Sequence, residues 1–304
     1  MLKHLLSMDE VSIDDIISIL KLSEDFENKI IRQVFNYACD KILATLFYEP
    51  STRTRLSFES AMIRSGGSII GFSDSKVSSV SKGETISDTI RTVANYCDII
   101  VMRHSIEGAA RVASEVSSVP IINAGDGANQ HPSQTLLDLY TLKNIFGSIN
   151  AFGGHTIGFV GDLKYSRTVH SLIPALINMN EKTFILISPQ ELCLDQSFVD
   201  RYRKDGVILR ETSSIKHIND CDIIYVTRIQ QERFPDQTEY EKVKNVYRIT
   251  ADMLKPGLKV LHPLPRVNEI STCVDKTDHA EYFNQVRNGV FVRQAIIHKI
   301  LGEE

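Results

Sequence analysis

The sequence predicts an α/β protein of two domains, each a parallel sheet flanked by helices, with the active site in the cleft between them. Three observations carry that expectation. The chain has 304 residues, which is long for a single hydrophobic core. Short apolar runs alternate with helix-length stretches along most of it, the order that yields parallel strands joined by right-handed crossovers. Several of those runs are unbroken rather than alternating, as in strands covered on both faces.

The elements follow in order. Ser12, with Asp14 and Asp15 in the first turn, caps an amphipathic helix running to about Phe26. Strands are expected at residues 42–48, 68–72, 99–103 and 120–124, and helices after Pro50, over 84–96, over 107–116 and from Pro132. Residues 147–154, rich in Gly, Ser and Asn, mark the boundary between a first domain at 1–146 and a second at 151–280. Further strands are expected at 156–161, 183–188, 207–211, 222–227 and 259–262, with a helix at 166–178. A last helix, about 281–301, is long enough to pack back on the first domain. No internal repeat stands out.

Composition excludes several functions. A net charge of −4, with 24% charged residues, argues against a nucleic-acid surface and against an anionic-membrane anchor, so any anion site must be local. Cys39, Cys97, Cys193, Cys221 and Cys273 are scattered without a C-x-x-C pair, which suits a reducing compartment rather than a zinc site or a disulfide framework. The first residues show neither a signal peptide nor a membrane span, so the cytosol is expected.

The most informative stretch is F-Y-E-P-S-T-R-T-R, ending at Arg55. An apolar strand stops, Pro50 breaks it, and Ser51, Thr52, Arg53, Thr54 and Arg55 fall where a helix begins. Free backbone N–H groups and the positive end of the helix dipole make such a position an anion site. The hydroxyls of Ser51, Thr52 and Thr54 can donate further bonds, and Arg53 can clamp two oxygens at once. An ordinary Ser/Thr cap with solvated arginines is the plainer account of a lone S-T pair. Three hydroxyls and two guanidiniums within five residues favour phosphate instead. There is no G-x-x-x-x-G-K-[ST], so a nucleoside triphosphate is not expected.

P-S-T-R-T-R-x-S-F-E resembles the phosphate signature of the aspartate and ornithine carbamoyltransferases. The resemblance continues through M-R-H at 102–104, N-A-G-D-G-A-N-Q-H-P-S-Q at 123–134, G-D-L-K-Y-S-R at 161–167, T-R-I-Q at 227–230 and H-P-L-P-R at 262–266. It implies that Ser51, Thr52, Arg53, Thr54 and Arg103 hold the phosphate of carbamoyl phosphate. His131 would polarise the carbamoyl carbonyl, Gln134 would contact the carbamoyl nitrogen, and the backbone carbonyls of Leu264 and Pro265 would accept from it. Arg167, Arg228 and Gln230 would bind L-aspartate, whose two carboxylates suit paired guanidiniums. Ser79 and Lys82, from a polar loop at 75–84, would reach a neighbouring subunit's site. Ser81 stands where some members carry a second lysine.

The resemblance further implies a homotrimer with sites shared between subunits and no metal or organic cofactor. It makes a zinc-bearing regulatory chain a possible partner and places the reaction early in pyrimidine synthesis. Lys164, Tyr165, Glu239 and Tyr240 resemble residues at regulatory contacts. The ornithine branch is the alternative, but it carries an S-M-G loop and H-C-L-P, where this chain has H-P-L-P and no S-M-G. A dinucleotide-dependent oxidoreductase is disfavoured because G-x-G-x-x-G is absent after the strand ending at Gly161. A non-catalytic phosphate-binding module would leave Arg167, Arg228 and Gln230 idle.

Overall fold

The computed structural model describes residues 2–29, 36–73, 83–203, 206–229, 237–243 and 246–302. The chain divides into two compact units, Met1–Leu142 with Val286–Glu304, and Lys143–Gln285.

The first unit contains a four-stranded parallel sheet in the order β2-β1-β3-β4. Its strands are β1 (Ile42–Phe47), β2 (Ser68–Phe72), β3 (Ile99–His104) and β4 (Ile121–Asp126). The helices are α1 (Ile13–Lys29), α2 (Thr52–Arg64), α3 (Ile86–Val93), α4 (Ala109–Val116) and α5 (Pro132–Phe146). Ala44, Leu46, Ile100 and Met102 of the sheet pack against Ile90 of α3 and against Ala109, Ala110 and Ala113 of α4. Small alanines let α4 lie close on the strands.

Burial follows position in the sheet. β1 and β3 are interior and almost wholly covered, whereas the edge strand β2 exposes Ser68, Ile70 and Gly71. β4 lies at the other end of the strand order yet is buried throughout, because the N-terminal segment pairs beside it. Leu5 donates to Ile121 O at 2.9 Å and accepts from Asn123 N at 2.8 Å.

The second unit has five parallel strands in the order β7-β6-β5-β8-β9. They are β5 (Thr156–Val160), β6 (Thr183–Ile187), β7 (Ile208–Thr212), β8 (Ile223–Val226) and β9 (Lys259–Leu261). Helices α6 (Arg167–Asn178), α7 (Gln196–Tyr202) and α8 (Gln237–Val243) accompany them, and α9 (Tyr282–Leu301) ends the chain's regular structure.

Both sheets reverse their strand order once, between β1 and β3 in the first unit and between β5 and β8 in the second. Connections leave in opposite directions at such a point, opening a crevice at the carboxyl ends of the two strands.

The expected strands are all present, with ends moved by at most two residues. The expected helix at 84–96 shortens to α3, since Thr85 caps it by accepting from Asp88 N at 3.1 Å. The one at 107–116 starts later because Gly108, at φ 78°, is its N-cap. α7 and α8 were not anticipated. Each has seven residues, too few for apolar periodicity to declare itself.

Candidate active site

In the first unit, Ser51 is the N-cap of α2, and Arg53 and Arg55 lie in its first turn. The Ser51 hydroxyl makes no capping bond within the helix, and the first turn holds no acid. Two cations at the positive end of a helix dipole are unfavourable without an anion nearby. Thr54 is buried, Ser51 and Arg55 are half-buried, and Thr52 and Arg53 are exposed. Arg55 lies 3.6 Å from Glu59.

Register brings Arg103 to the same place. Phe47, at the end of β1, stands beside Arg103, at the end of β3. Arg103 Nε donates to Glu49 Oε2 at 3.0 Å, and its Nη1 donates to Ser51 Oγ at 3.4 Å. Glu49 therefore fixes the guanidinium plane with its remaining edge toward the helix start.

His131 arrives from the next strand. After β4, Asp126 organises the loop: it accepts from Asn123 Nδ2 at 2.9 Å, Gly108 N at 2.8 Å and Gln130 N at 3.2 Å. His131 then caps α5 with its carbonyl, which accepts from Gln134 N and Thr135 N. Its ring is buried, with Nδ1 3.4 Å from Ser133 Oγ. Pro132 stands at the first helical position, where its missing N–H costs nothing. Gln134 is one turn on and donates Nε2–H to Asp138 at 2.8 Å. The first turn of α5, like that of α2, contains no acid.

In the second unit the pattern recurs at the switch between β5 and β8. Gly161, at φ 115°, closes β5, and a Cβ there would lie 2.2 Å from Thr227 O. Only glycine permits that approach, which lets Thr227 Oγ1 donate to Asp162 O at 3.0 Å and ties the two strand ends together. Arg167 opens α6, a third helix without an acid in its first turn. Arg228 follows β8 and lines a cavity of about 210 Å³ together with Gly161, Tyr240, Tyr247, Asn268 and Glu269. Lys164 Nζ sits over the Tyr165 ring at 5.2 Å.

The H-P-L-P-R turn follows β9. Leu264 has φ 55°, and the Leu264–Pro265 peptide is cis. His262 is 1% exposed and holds the turn from inside. Its Nδ1 accepts from Leu264 N at 2.8 Å, so the ring proton is on Nε2, 2.7 Å from Glu269 Oε1. Glu269 Oε2 accepts from Val267 N and Asn268 N, each at 3.0 Å. Burial pushes the Glu269 carboxyl up, but the hydrogen bond from His262 and the backbone N–H donors outweigh it and hold it below the usual carboxylate range. Arg266 pairs with Asp275, donates to Tyr282 Oη at 3.1 Å and so anchors the turn's far end.

Ser51, Thr52, Arg53, Thr54, Arg103, His131 and Gln134 thus come from the carboxyl ends of β1, β3 and β4 in one unit. Arg167, Arg228, Leu264 and Pro265 follow β5, β8 and β9 in the other. Ser79, Ser81, Lys82 and Gln230 lie outside the described residues, as does the side chain of Glu239. Sequence reasoning passed over Glu49, Asp138, Glu269 and Arg293. Glu49 was visible as the one acid inside the cationic stretch. Arg293 announces itself only through a contact distant in sequence, and Asp138 and Glu269 only once a helix turn and a loop set them against Gln134 and His262.

Comparison with known proteins shows the family. The family described as aspartate/ornithine carbamoyltransferase, carbamoyl-P binding domain, matches residues 3–144, and its Asp/Orn binding domain matches residues 153–300. The aspartate carbamoyltransferase catalytic subunit of Thermococcus gammatolerans is 54% identical over 305 residues, covering 99% of this chain and 98% of its own. The catalytic subunit of M. jannaschii aspartate transcarbamoylase superposes with TM-score 0.90 at 50% identity, covering 98% of this chain and 97% of that one. Aspartate transcarbamoylase from Trypanosoma cruzi, solved in complex with carbamoyl phosphate and aspartate, gives TM-score 0.90 at 38% identity, covering 97% and 95%.

Proposed function

The chain belongs to the aspartate/ornithine carbamoyltransferase family, and we propose that its two sets of strand-end residues divide one reaction between them. That reaction transfers the carbamoyl group of carbamoyl phosphate to the amino group of L-aspartate, giving N-carbamoyl-L-aspartate and phosphate. The ornithine alternative is not favoured, since the relatives at 50–54% identity over the whole chain are named for aspartate.

The observation that carries the assignment of residues is the uncapped, acid-free start of α2, onto which Arg103 already donates a bond at Ser51. Phosphate binds there through Ser51, Thr52, Arg53, Thr54 and Arg103, using backbone N–H groups and two guanidiniums. His131 donates to the carbamoyl oxygen, Gln134 meets the carbamoyl nitrogen, and the carbonyls of Leu264 and Pro265 accept from it. Arg167, Arg228 and Gln230 take the carboxylates of aspartate, with Lys82 and Ser79 supplied by a neighbouring subunit.

The aspartate nitrogen, having lost one proton to solvent, attacks the carbamoyl carbon. A C–N bond forms, the C–O bond to phosphate breaks, and a second nitrogen proton leaves with the phosphate. Negative charge develops on the carbonyl oxygen in the tetrahedral state, where His131 and Arg103 are placed to oppose it. No covalent enzyme intermediate is required, because the amine is itself the nucleophile.

A homotrimer with shared sites, a cytosolic location and a place in pyrimidine synthesis complete the reading, with a zinc-bearing regulatory chain as a further partner. Five unpaired cysteines support the reducing compartment. The test is to assay carbamoyl transfer to L-aspartate and L-ornithine side by side. Turnover with aspartate alone is expected, and turnover with ornithine alone would overturn the assignment.

A further inference from the structure

Gln134, assigned above to the carbamoyl nitrogen, has a side chain with two unlike ends. An amide oxygen accepts a hydrogen bond and an amide nitrogen donates one. Which end meets the ligand decides what the site recognises, and the answer lies in the core behind it. Gln134 Nε2 donates to Asp138 Oδ1 at 2.8 Å, one turn further along α5. Asp138 is 0% exposed and Gln134 8%. A carboxylate can only accept, so it takes the nitrogen end and turns Gln134 Oε1 the other way.

The charge of Asp138 is matched from α9. Arg293 is 3% exposed, and burial lowers its pKa to about 10 while the charge of Asp138 opposes that fall. Its Nη1 donates to Ser57 Oγ on α2 at 2.9 Å, and the guanidinium lies 5.0 Å from the Phe58 ring centroid. Gly289 makes the space, since a Cβ there would lie 2.4 Å from Arg293 Nη1 and 3.2 Å from Leu137 Cδ2. A buried cation therefore links the helix of the phosphate cradle to the helix of His131 and Gln134.

We propose that Asp138 is a specificity-determining positioning residue, which presents Gln134 Oε1 so that the site selects a ligand NH2 over a methyl group. The inference rests on the assignment of Gln134 above. Its consequence is discrimination between carbamoyl phosphate and acetyl phosphate, whose methyl group cannot donate. A buried acceptor left without its donor costs about tenfold or more in affinity.

The test uses the full-length enzyme. The KM for carbamoyl phosphate and the competitive inhibition constant for acetyl phosphate are measured in wild type, Asp138→Asn, Gln134→Leu and the double variant. An asparagine can offer N–H to Gln134 and let its amide turn over. Asp138→Asn should raise the KM for carbamoyl phosphate about tenfold, leave acetyl phosphate unchanged, and add nothing in the Gln134→Leu background. Should Asp138→Asn not fold with Arg293 left buried, Asp138→Asn/Arg293→Met removes both charges and carries the same expectation.

Equal losses for both phosphates, or an Asp138→Asn effect that adds to Gln134→Leu, would mean a merely structural Asp138 and overturn the proposal. If Gln134→Leu shifts the ratio but Asp138→Asn does not, only the role of Asp138 falls. If Gln134→Leu leaves the ratio unchanged, the assignment of Gln134 falls and the proposal with it.

Discussion

Arg53 and Arg228 are the residues on which the division of labour is most exposed to test. Arg53 is exposed in the first turn of α2, so truncation would remove the proposed phosphate contact without opening the core. Arg53→Ala should cost on the order of 10²–10³ in kcat/KM, the usual loss for a charge-stabilising group at a reacting centre. Unfolding free energy should stay within about 0.5 kcal/mol of wild type. Near-normal turnover in the folded variant would remove Arg53 from the site. Arg228, lining the small cavity of the second unit, is the residue proposed for the other substrate. Calorimetry on Arg228→Ala should show weakened binding of succinate, a dicarboxylate inhibitor, with carbamoyl phosphate little changed. Equal losses for both ligands would contradict the assignment.

α2, α5 and α6 each begin without an acid in the first turn, contrary to what helix stability prefers. That departure from local optimality is what the proposed anion site would leave in the helix starts. Thr52→Asp should therefore stabilise the ligand-free protein by about 0.3–1 kcal/mol and abolish the rise in Tm that phosphate is expected to give wild type. Thermal unfolding with and without phosphate reads both effects, and a phosphate response that survives in the variant would refute the site. The H-P-L-P-R turn has a pH signature. The folded state holds the Glu269 carboxyl below its ordinary value, so the folded protein binds fewer protons there than the unfolded chain does. Its stabilisation is present above the ordinary carboxylate pKa and is lost as pH falls through the lowered value. Glu269→Gln should lower stability at neutral pH and flatten the acid limb of the pH–stability curve. A parallel curve, merely displaced, would show that the ionised Glu269–His262 bond does not supply the stability.

A shared site would make activity depend on assembly. If Lys82 acts in a neighbour's site, Lys82→Ala and Arg53→Ala chains should each be nearly inactive alone. Mixed in one trimer, they generate a site that takes Arg53 from one chain and Lys82 from the other, and activity should return. The two variants are dissociated, reassociated together and assayed against each parent. Verified hybrids as inactive as their parents would place Lys82 within its own subunit. Within each unit, parallel pairing collects functional side chains from distant segments. The strands run the same way, so residues that follow them emerge at one edge, and the reversal of strand order selects where along that edge they gather.

The strands were legible in the sequence, because buried parallel strands are continuous apolar runs and such runs need no partner to be seen. The sequence also located the proposed phosphate cradle, since Ser51 to Arg55 are neighbours in the chain and fall at one helix start. Tertiary structure decided the rest. Glu49 meets Arg103 across 54 residues, Arg293 reaches Ser57 across 236, and Glu269 becomes the partner of His262 only when the turn between them folds. A buried charge is tolerable only against a countercharge or hydrogen-bond donors, and which groups lie opposite depends on packing that no local pattern records.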